Sequence, residues 1–504
     1  MTERTDITMI PPQALRVGPM PRTLVTEAAW QQLAQDLAHG DELMLLSLWA
    51  GGHAVHMALL ETATQKVGIA SIEGLSEGFP SVGKLHAPAQ RLERAASDLF
   101  GLVPQGAMDD RPWLDHGRWD VTHPLGAAKP GSQPVPYPFL PVIGESLHQV
   151  PVGPVHAGII EPGHFRFTAQ GETVVRLEER LGYVHKGIDH LMQGATLTRG
   201  AELAGRTSGD STVAYAWAFA QAAEAALDAE APERALWLRA LMAELERLAN
   251  HLGDIGAICN DAAFAMMLAQ CSVLRERVLR TADACFGHRF MRDRILPGGV
   301  GADLDGAGEA ALRALLVEIR GRFPSLVDLY DNTASLQDRT VGTGLLGTAL
   351  AVRFGAGGYV GRASGRDFDT RRDLPYAPYD RLAFTVPTRT DGDVDARVWI
   401  RIDEVEQSLS LIAQILDALP DGPIHAPLPS VGAPREGLGL VEGFRGDVLV
   451  WLALDGEGRI MRCHLRDPSW FQWPLLEAVI ENNIIADFPL CNKSFNCSYS
   501  GHDL

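Results

Sequence analysis

The sequence predicts an α+β protein: a small N-terminal α+β module, then a helix-bundle-rich body with peripheral β-hairpins. Three observations point there. The apolar runs LMLLSLW (Leu43 to Trp49) and HAVHMALL (His53 to Leu60) flank Gly51-Gly52, a hairpin signal. Leu238, Leu241, Leu245, Leu248 and Leu252 recur at intervals of three and four, one apolar stripe on a helix that opens at Pro232 and Glu233. Between these regions proline is dense, at 124, 130, 134, 136, 138, 141, 151 and 154, and each proline fixes φ and removes a backbone donor.

In chain order, residues 1–123 form the first module, in which Arg91 to Leu99 reads as a helix. Residues 124–152 are an extended connector strapped across its neighbours. The body, 153–504, starts with a strand pair from Phe165 to Val175 that turns at Gln170-Gly171. Ala257 to Leu279 is apolar nearly all round apart from Asn260 and Asp261, as expected for a helix inside a bundle. Helical stretches follow over Ala310 to Leu329 and Asp403 to Leu419. The Gly/Pro-rich interval Asp421 to Gly437 then leads to strands at Asp447 to Ala453 and Ile460 to Leu465.

Composition excludes several classes. A length of 504 residues fits two or three domains, and 46% hydrophobic with 21% charged residues is ordinary for a globular chain. The formal net charge of −19 argues against nucleic acid, which needs a basic surface. Met1 to Asp6 carries no apolar signal core, and the six cysteines read as reduced cytoplasmic thiols. No pair of them forms Cys-x-x-Cys, so the chain is expected to hold no iron–sulfur cluster or structural zinc of its own. No apolar run is long enough to span a bilayer, which leaves membrane association to another subunit.

Six strings carry a family resemblance. They are Gly153 to His156 with Glu161 to Arg166 (GPVH, EPGHFR), Arg180 to Asp189 (RLGYVHKGID), Glu244 to His251 (ELERLANH), Pro297 to Val300 (PGGV), Asp338 to Gly342 (DRTVG), and Arg362 to Gly365 with Asp369 to Arg371. In this order they resemble the large-subunit scaffold that nickel–iron hydrogenases share with the quinone-reducing subunit of respiratory complex I. The module before it, through Glu93-Arg94, Asp98 to Gly101, Trp119 and His123 to Leu125, is similar to the small complex I subunit fused ahead of this scaffold in formate hydrogenlyase-type hydrogenases.

Against that pattern, Ser208-Gly209-Asp210-Ser211 stands where a nickel-binding Cys-x-x-Cys belongs, and Ser498-Tyr499-Ser500-Gly501 replaces the second one. Ser208, Ser211, Ser498 and Gly501 are thus lost ligand positions, because a neutral hydroxyl or a glycine cannot replace a soft thiolate. Leu504 follows the second motif so closely that no maturation peptide is expected. The resemblance implies that Glu161 passes protons, that Asp189 stands beside a secondary magnesium site, and that His164 faces a quinone headgroup with Asp261 as its partner. Asp261 follows Asn250 by eleven residues, about three helical turns, so Asn250, Asp254 and Asp261 share a face. The His164–Asp261 pair either locks hairpin to bundle or carries a proton. His156, Arg362, Asp369 and Arg371 are the expected cofactor-side residues; the arginines either neutralise buried carboxylates, grip a partner subunit or form a solvated basic face. No metal is expected in the chain itself. Partners implied by the resemblance are a small iron–sulfur subunit, a ferredoxin-like subunit and membrane-embedded subunits, and the cavity is expected to serve either proton transfer or quinone-type reduction, the alternative being a structural platform without chemistry.

Overall fold

The computed structural model describes residues 7–504 apart from 17, 41, 132 and 157–159, so the reading of Met1 to Asp6 lies outside the described residues. The N-terminal sheet has the order β1 (Arg22–Leu24), β4 (Lys66–Ile72), β3 (Ala54–Glu61), β2 (Leu43–Gly51), antiparallel except where β1 meets β4. Gly51 pairs with Ala54 across the turn, and Gly52 takes φ 63°, a conformation that favours glycine. Both faces of this sheet are covered. On one side α1 (Glu27–His39) buries Trp30, Leu33 and Leu37 in a core with Leu45, Leu48 and Leu59. On the other, Leu46, Ala58 and Leu60 join Leu438, Leu440 and Leu449 of a C-terminal sheet. Double coverage is why these strands read as continuous apolar runs without alternation. The expected helix forms as α2 (Gln90–Phe100).

The connector is extended and held by aromatic contacts. Tyr137 lies under the guanidinium groups of Arg111 and Arg180, at 5.0 and 4.4 Å, and Phe139 under that of Arg166 at 4.1 Å. Its end, β5 (Leu147–Val152), joins β6 (His164–Gln170) and β7 (Thr173–Arg180) in an antiparallel sheet ordered β7-β6-β5.

The helical body comprises α3 (Thr212–Leu227), α4 (Glu233–Asp261), α5 (Ala265–Phe286), α6 (Gly306–Asp331) and α7 (Val394–Ala418), and the leucine stripe of α4 is wholly buried. The helix read over 257–279 is two helices. The chain turns between Asp261 and Ala265, with Ala263 at φ 65°, and α5 folds back on α4 so closely that a Cβ on Gly256 would lie 2.9 Å from the Cys271 Cβ. Apolar residues on both sides of the turn concealed it. Helix α7 starts at Val394, earlier than expected, because Asp393 caps it by accepting the Ala396 N–H at 2.7 Å.

The last sheet is a meander of β8 (Arg435–Gly443), β9 (Gly446–Leu454) and β10 (Ile460–Arg466). Its first strand begins inside the interval read as a Gly/Pro-rich loop. Gly437, at the end of that interval, and Gly439 just past it serve packing: a Cβ on either would sit 2.0 Å from the carbonyl oxygen of Ala222 or Ala218 respectively, so only glycine lets the alanine face of α3 lie directly on the strand.

Candidate functional site

The two serine-bearing stretches, far apart in sequence, converge. Ser208–Ser211 leads into α3; Ser498–Gly501 follows α9 (Phe488–Phe495), where Asn496 takes a left-handed turn at φ 46°. Helix α8 (Ser469–Val479) supports this end, its Ser469 Oγ accepting the Ser498 N–H at 2.8 Å. The Ser208 and Ser498 hydroxyls bond each other at 2.8 Å, and Ser498 Oγ also accepts the Gly501 N–H at 2.8 Å. Beside them Arg445, from the β8–β9 corner, holds Asp210 bidentately, Nη1 to Oδ1 at 2.7 Å and Nη2 to Oδ2 at 2.5 Å. Its Nη1 also reaches Ser211 Oγ at 3.3 Å, and its Nε donates to the Asn496 carbonyl at 2.5 Å. Burial pushes the Asp210 carboxyl up, but the Arg445 guanidinium outweighs it and holds the carboxyl below its ordinary range. Ser208, Asp210, Arg445, Asn496 and Ser498, with Glu161, Asn492, Lys493, Tyr499 and Ser500, line a cavity of about 310 Å³.

A nickel–iron centre does not fit this lining. The four positions read from the sequence as lost ligands offer three hydroxyls and a glycine; two of the hydroxyls already bond each other, and the third lies against the Asp210–Arg445 pair. A Cβ on Gly501 would lie 2.3 Å from Asp467 Oδ2, so a thiolate there meets a carboxylate held by Tyr215 Oη at 2.8 Å. Cys497 lines the cavity but is buried, and burial pushes its thiol well above the usual range. Among the described residues no group of three or more His, Cys, Asp or Glu is disposed to hold a metal ion.

The other sequence-derived residues separate into two groups. Glu161 lies at the cavity, where its carboxylate accepts the N–H of Ser500 at 3.1 Å and the Ser500 hydroxyl. The expected His164–Asp261 pair does not form. His164 sits against Phe139 with its Nδ1 3.3 Å from the Gly153 carbonyl and its Nε2 buried without a partner, and burial lowers its pKa. Asp261, in the last turn of α4, takes a 3.5 Å hydrogen bond from Asn260 and faces the Lys493 charge. The shared face of α4 is real but leads elsewhere: Asn250 donates to the Asp210 carbonyl at 2.7 Å, and Asp254 binds Arg401 at 3.1 Å and Asn496 at 2.9 Å.

His156 braces its own loop through the Gly163 carbonyl at 2.8 Å. Arg362, Asp369 and Arg371 stand away from the cavity in a buried ion network. Arg362 binds Glu404 at 2.6 Å and Glu442 at 2.9 Å; Arg371 binds Asp369 at 2.7 Å and Glu244 at 3.0 Å; His251 meets Glu404 at 2.6 Å. Burial alone would raise Glu404, yet Arg362 and His251 hold it well below the carboxylate range. Of the weighed roles for these arginines, neutralising buried carboxylates is the one the contacts describe. Asp189 is likewise paired, with Arg462 at 2.9 Å. Sequence reasoning missed Arg445, Asp210 and Lys493. The signal for Arg445 was a lone cation in the Gly443–Gly446 hairpin corner, which places it at a sheet end rather than in a strand.

The fold and its cavity define a large subunit of the hydrogenase and complex I type, with a complex I-like module fused before it. The chain belongs to this family. Residues 261–437 and 431–503 match the respiratory-chain NADH dehydrogenase 49 Kd subunit, and residues 24–135 match the 30 Kd subunit. Formate hydrogenlyase subunit 5 of Escherichia coli (strain K12) is 32% identical over 436 residues, 84% of this chain and 77% of the relative. Hydrogenase-4 component G of the same organism is 31% identical over 466 residues, 90% and 81% respectively. The carbon monoxide-induced hydrogenase of Rhodospirillum rubrum is 32% identical over 353 residues, covering 70% of this chain and 98% of the relative. Among solved structures, a chain of the membrane-bound sulfane sulfur reductase, an archaeal respiratory membrane complex, matches with TM-score 0.68 and 25% identity over 72% of this chain and 100% of its own. No helix among the described residues is long and apolar enough to cross a membrane.

Proposed function

We propose that this chain is the cavity-bearing subunit of a membrane-associated, complex I-like oxidoreductase, held peripherally on the cytoplasmic face by its partners. Electrons reach the cavity from an iron–sulfur cluster in a small partner subunit, beside ferredoxin-like and membrane-embedded subunits. There a quinone-type acceptor is reduced, or proton movement is coupled to electron arrival, without a nickel–iron centre. One observation carries this: segments 208–210 and 498–500 line a 310 Å³ space whose walls offer Glu161, Lys493, the Asp210–Arg445 pair and several hydroxyls, a lining suited to hydrogen bonds and protons rather than to a soft metal. Glu161, bound only by Ser500 among the described residues, is the group free to exchange a proton with the cavity. Glu161→Gln in the assembled complex is expected to lower turnover roughly a hundredfold. Undiminished turnover sinks this reading.

A second reading, a platform that only holds its partners together, is favoured by the Ser208–Ser498 bond and the Asp210–Arg445 pair, which close the former ligand positions on themselves. The same variant discriminates: a platform assembles and turns over normally with glutamine at 161.

A further inference from the structure

Behind the cavity, where the N-terminal module meets the body, two carboxylates lean on one guanidinium. Arg91 of α2 binds Glu179 of β7 at 3.0 Å and Glu477 of α8 at 2.8 Å. Glu477 also accepts the Glu179 backbone N–H at 2.8 Å, which ties its side chain to β7 at Glu179. The neighbouring charges are committed elsewhere. Arg94 binds Asp109 at 3.0 Å, Glu178 binds Arg111 at 3.0 Å, and Arg180 donates to the carbonyls of Pro112, Trp113 and Asp115. One guanidinium therefore bonds both acids, with the Arg94 charge a weaker attraction on Glu477, and Glu179 Oε1 is buried with no hydrogen-bond partner. A bare carboxylate oxygen in that position is costly, and a neutral carboxylic acid costs less.

We propose that Glu179 and Glu477 share a single proton on Arg91 and form the outer station for proton transfer to the cavity. This rests on the proton-coupled reading of the cavity given above. Burial pushes both carboxyls up, and the Glu477 charge adds to the push on Glu179. The inner side is Tyr499, which lines the cavity and lies in the field of both Glu179 and Glu161. Burial keeps this phenol protonated, so it passes a proton by donating one as it accepts another. The outer side is Glu477, whose side chain is 27% exposed and meets water. A proton taken up by Glu179 is balanced by one released from Glu477, and the pair keeps one throughout. Loading the cavity runs the same steps in reverse.

Infrared difference spectra of the full chain at neutral pH test the shared proton. Glu179→Gln and Glu477→Gln each leave one acid against one guanidinium, so each is expected to remove one protonated-carboxyl band, and the double variant the same single band. No band lost in either single variant, or two lost in the double, overturns the proposal. Glu477→Gln, at a partly exposed position, keeps the test open where Glu179→Gln fails to fold. In the assembled complex Glu477→Gln is expected to slow turnover about tenfold with a larger solvent deuterium isotope effect; unchanged turnover overturns the transfer role. The infrared result needs no turnover, so it fails or stands apart from the cavity reading, which Glu161→Gln decides.

Discussion

The Asp210–Arg445 pair makes the most exacting prediction, because its two members differ in exposure. The Arg445 side chain is 5% exposed and that of Asp210 34%. Removing one partner of a fully buried pair costs roughly 3–5 kcal/mol, and exposed pairs contribute under about 1 kcal/mol. Asp210→Asn strands a buried guanidinium and is expected to cost about 2–4 kcal/mol. Arg445→Met leaves a carboxylate that water reaches from the cavity and is expected to cost less, about 1–2 kcal/mol after lost packing. Urea unfolding of both single variants and the double variant gives the coupling, expected near 1–2 kcal/mol. The reasoning is refuted if Arg445→Met proves the costlier change, or if the coupling falls below about 0.5 kcal/mol. The pH dependence has a fixed sign. Asp210 is depressed in the folded state, so its contribution is complete above the unfolded carboxylate value of about 3.9 and is lost as pH falls through the lower folded value. The double variant lacks that acid-side loss.

Three further outcomes follow from the contacts. Gly501→Ala is expected to destabilise by about 1–3 kcal/mol, since its Cβ meets Asp467, whereas Gly209→Ala, with nothing within 4 Å, stays within about 0.5 kcal/mol; equal melting temperatures for the two would contradict the packing. Glu404→Gln leaves Arg362 and His251 short of a buried charge and is expected to cost about 3–5 kcal/mol by chemical denaturation. Because Glu404 is depressed, its contribution is present above about pH 4.3 and is lost below, so the variant shows a shallower acid limb. Restoring cysteine at 208, 211, 498 and 501 is expected to yield a poorly folded chain without stoichiometric nickel, checked by metal analysis of the purified protein.

Local pattern was legible wherever one face of an element meets the core. The Gly51-Gly52 hairpin, α2, the leucine stripe of α4 and the β6–β7 turn were all read from spacing, since a side-chain period is set by the element itself. The turn at 262–264 was not, because α4 and α5 are apolar around it and a period cannot mark a break that packing imposes. Strand β8 was hidden by glycines whose purpose, the close approach of α3, lies more than two hundred residues away in the chain.

The site divides in the same way. Sequence alone determined that Ser208, Ser211, Ser498 and Gly501 supply no soft donor and that position 161 carries a carboxylate, because donor chemistry is a property of the residue. Only the tertiary structure decided that Arg445 would claim Asp210 across 235 positions, that His164 and Asp261 would take separate partners, and that Arg362 and Arg371 would spend their charge inside the core. Ion pairs and buried hydrogen bonds depend on which groups share the same low-dielectric space, and that neighbourhood exists only once the chain has folded.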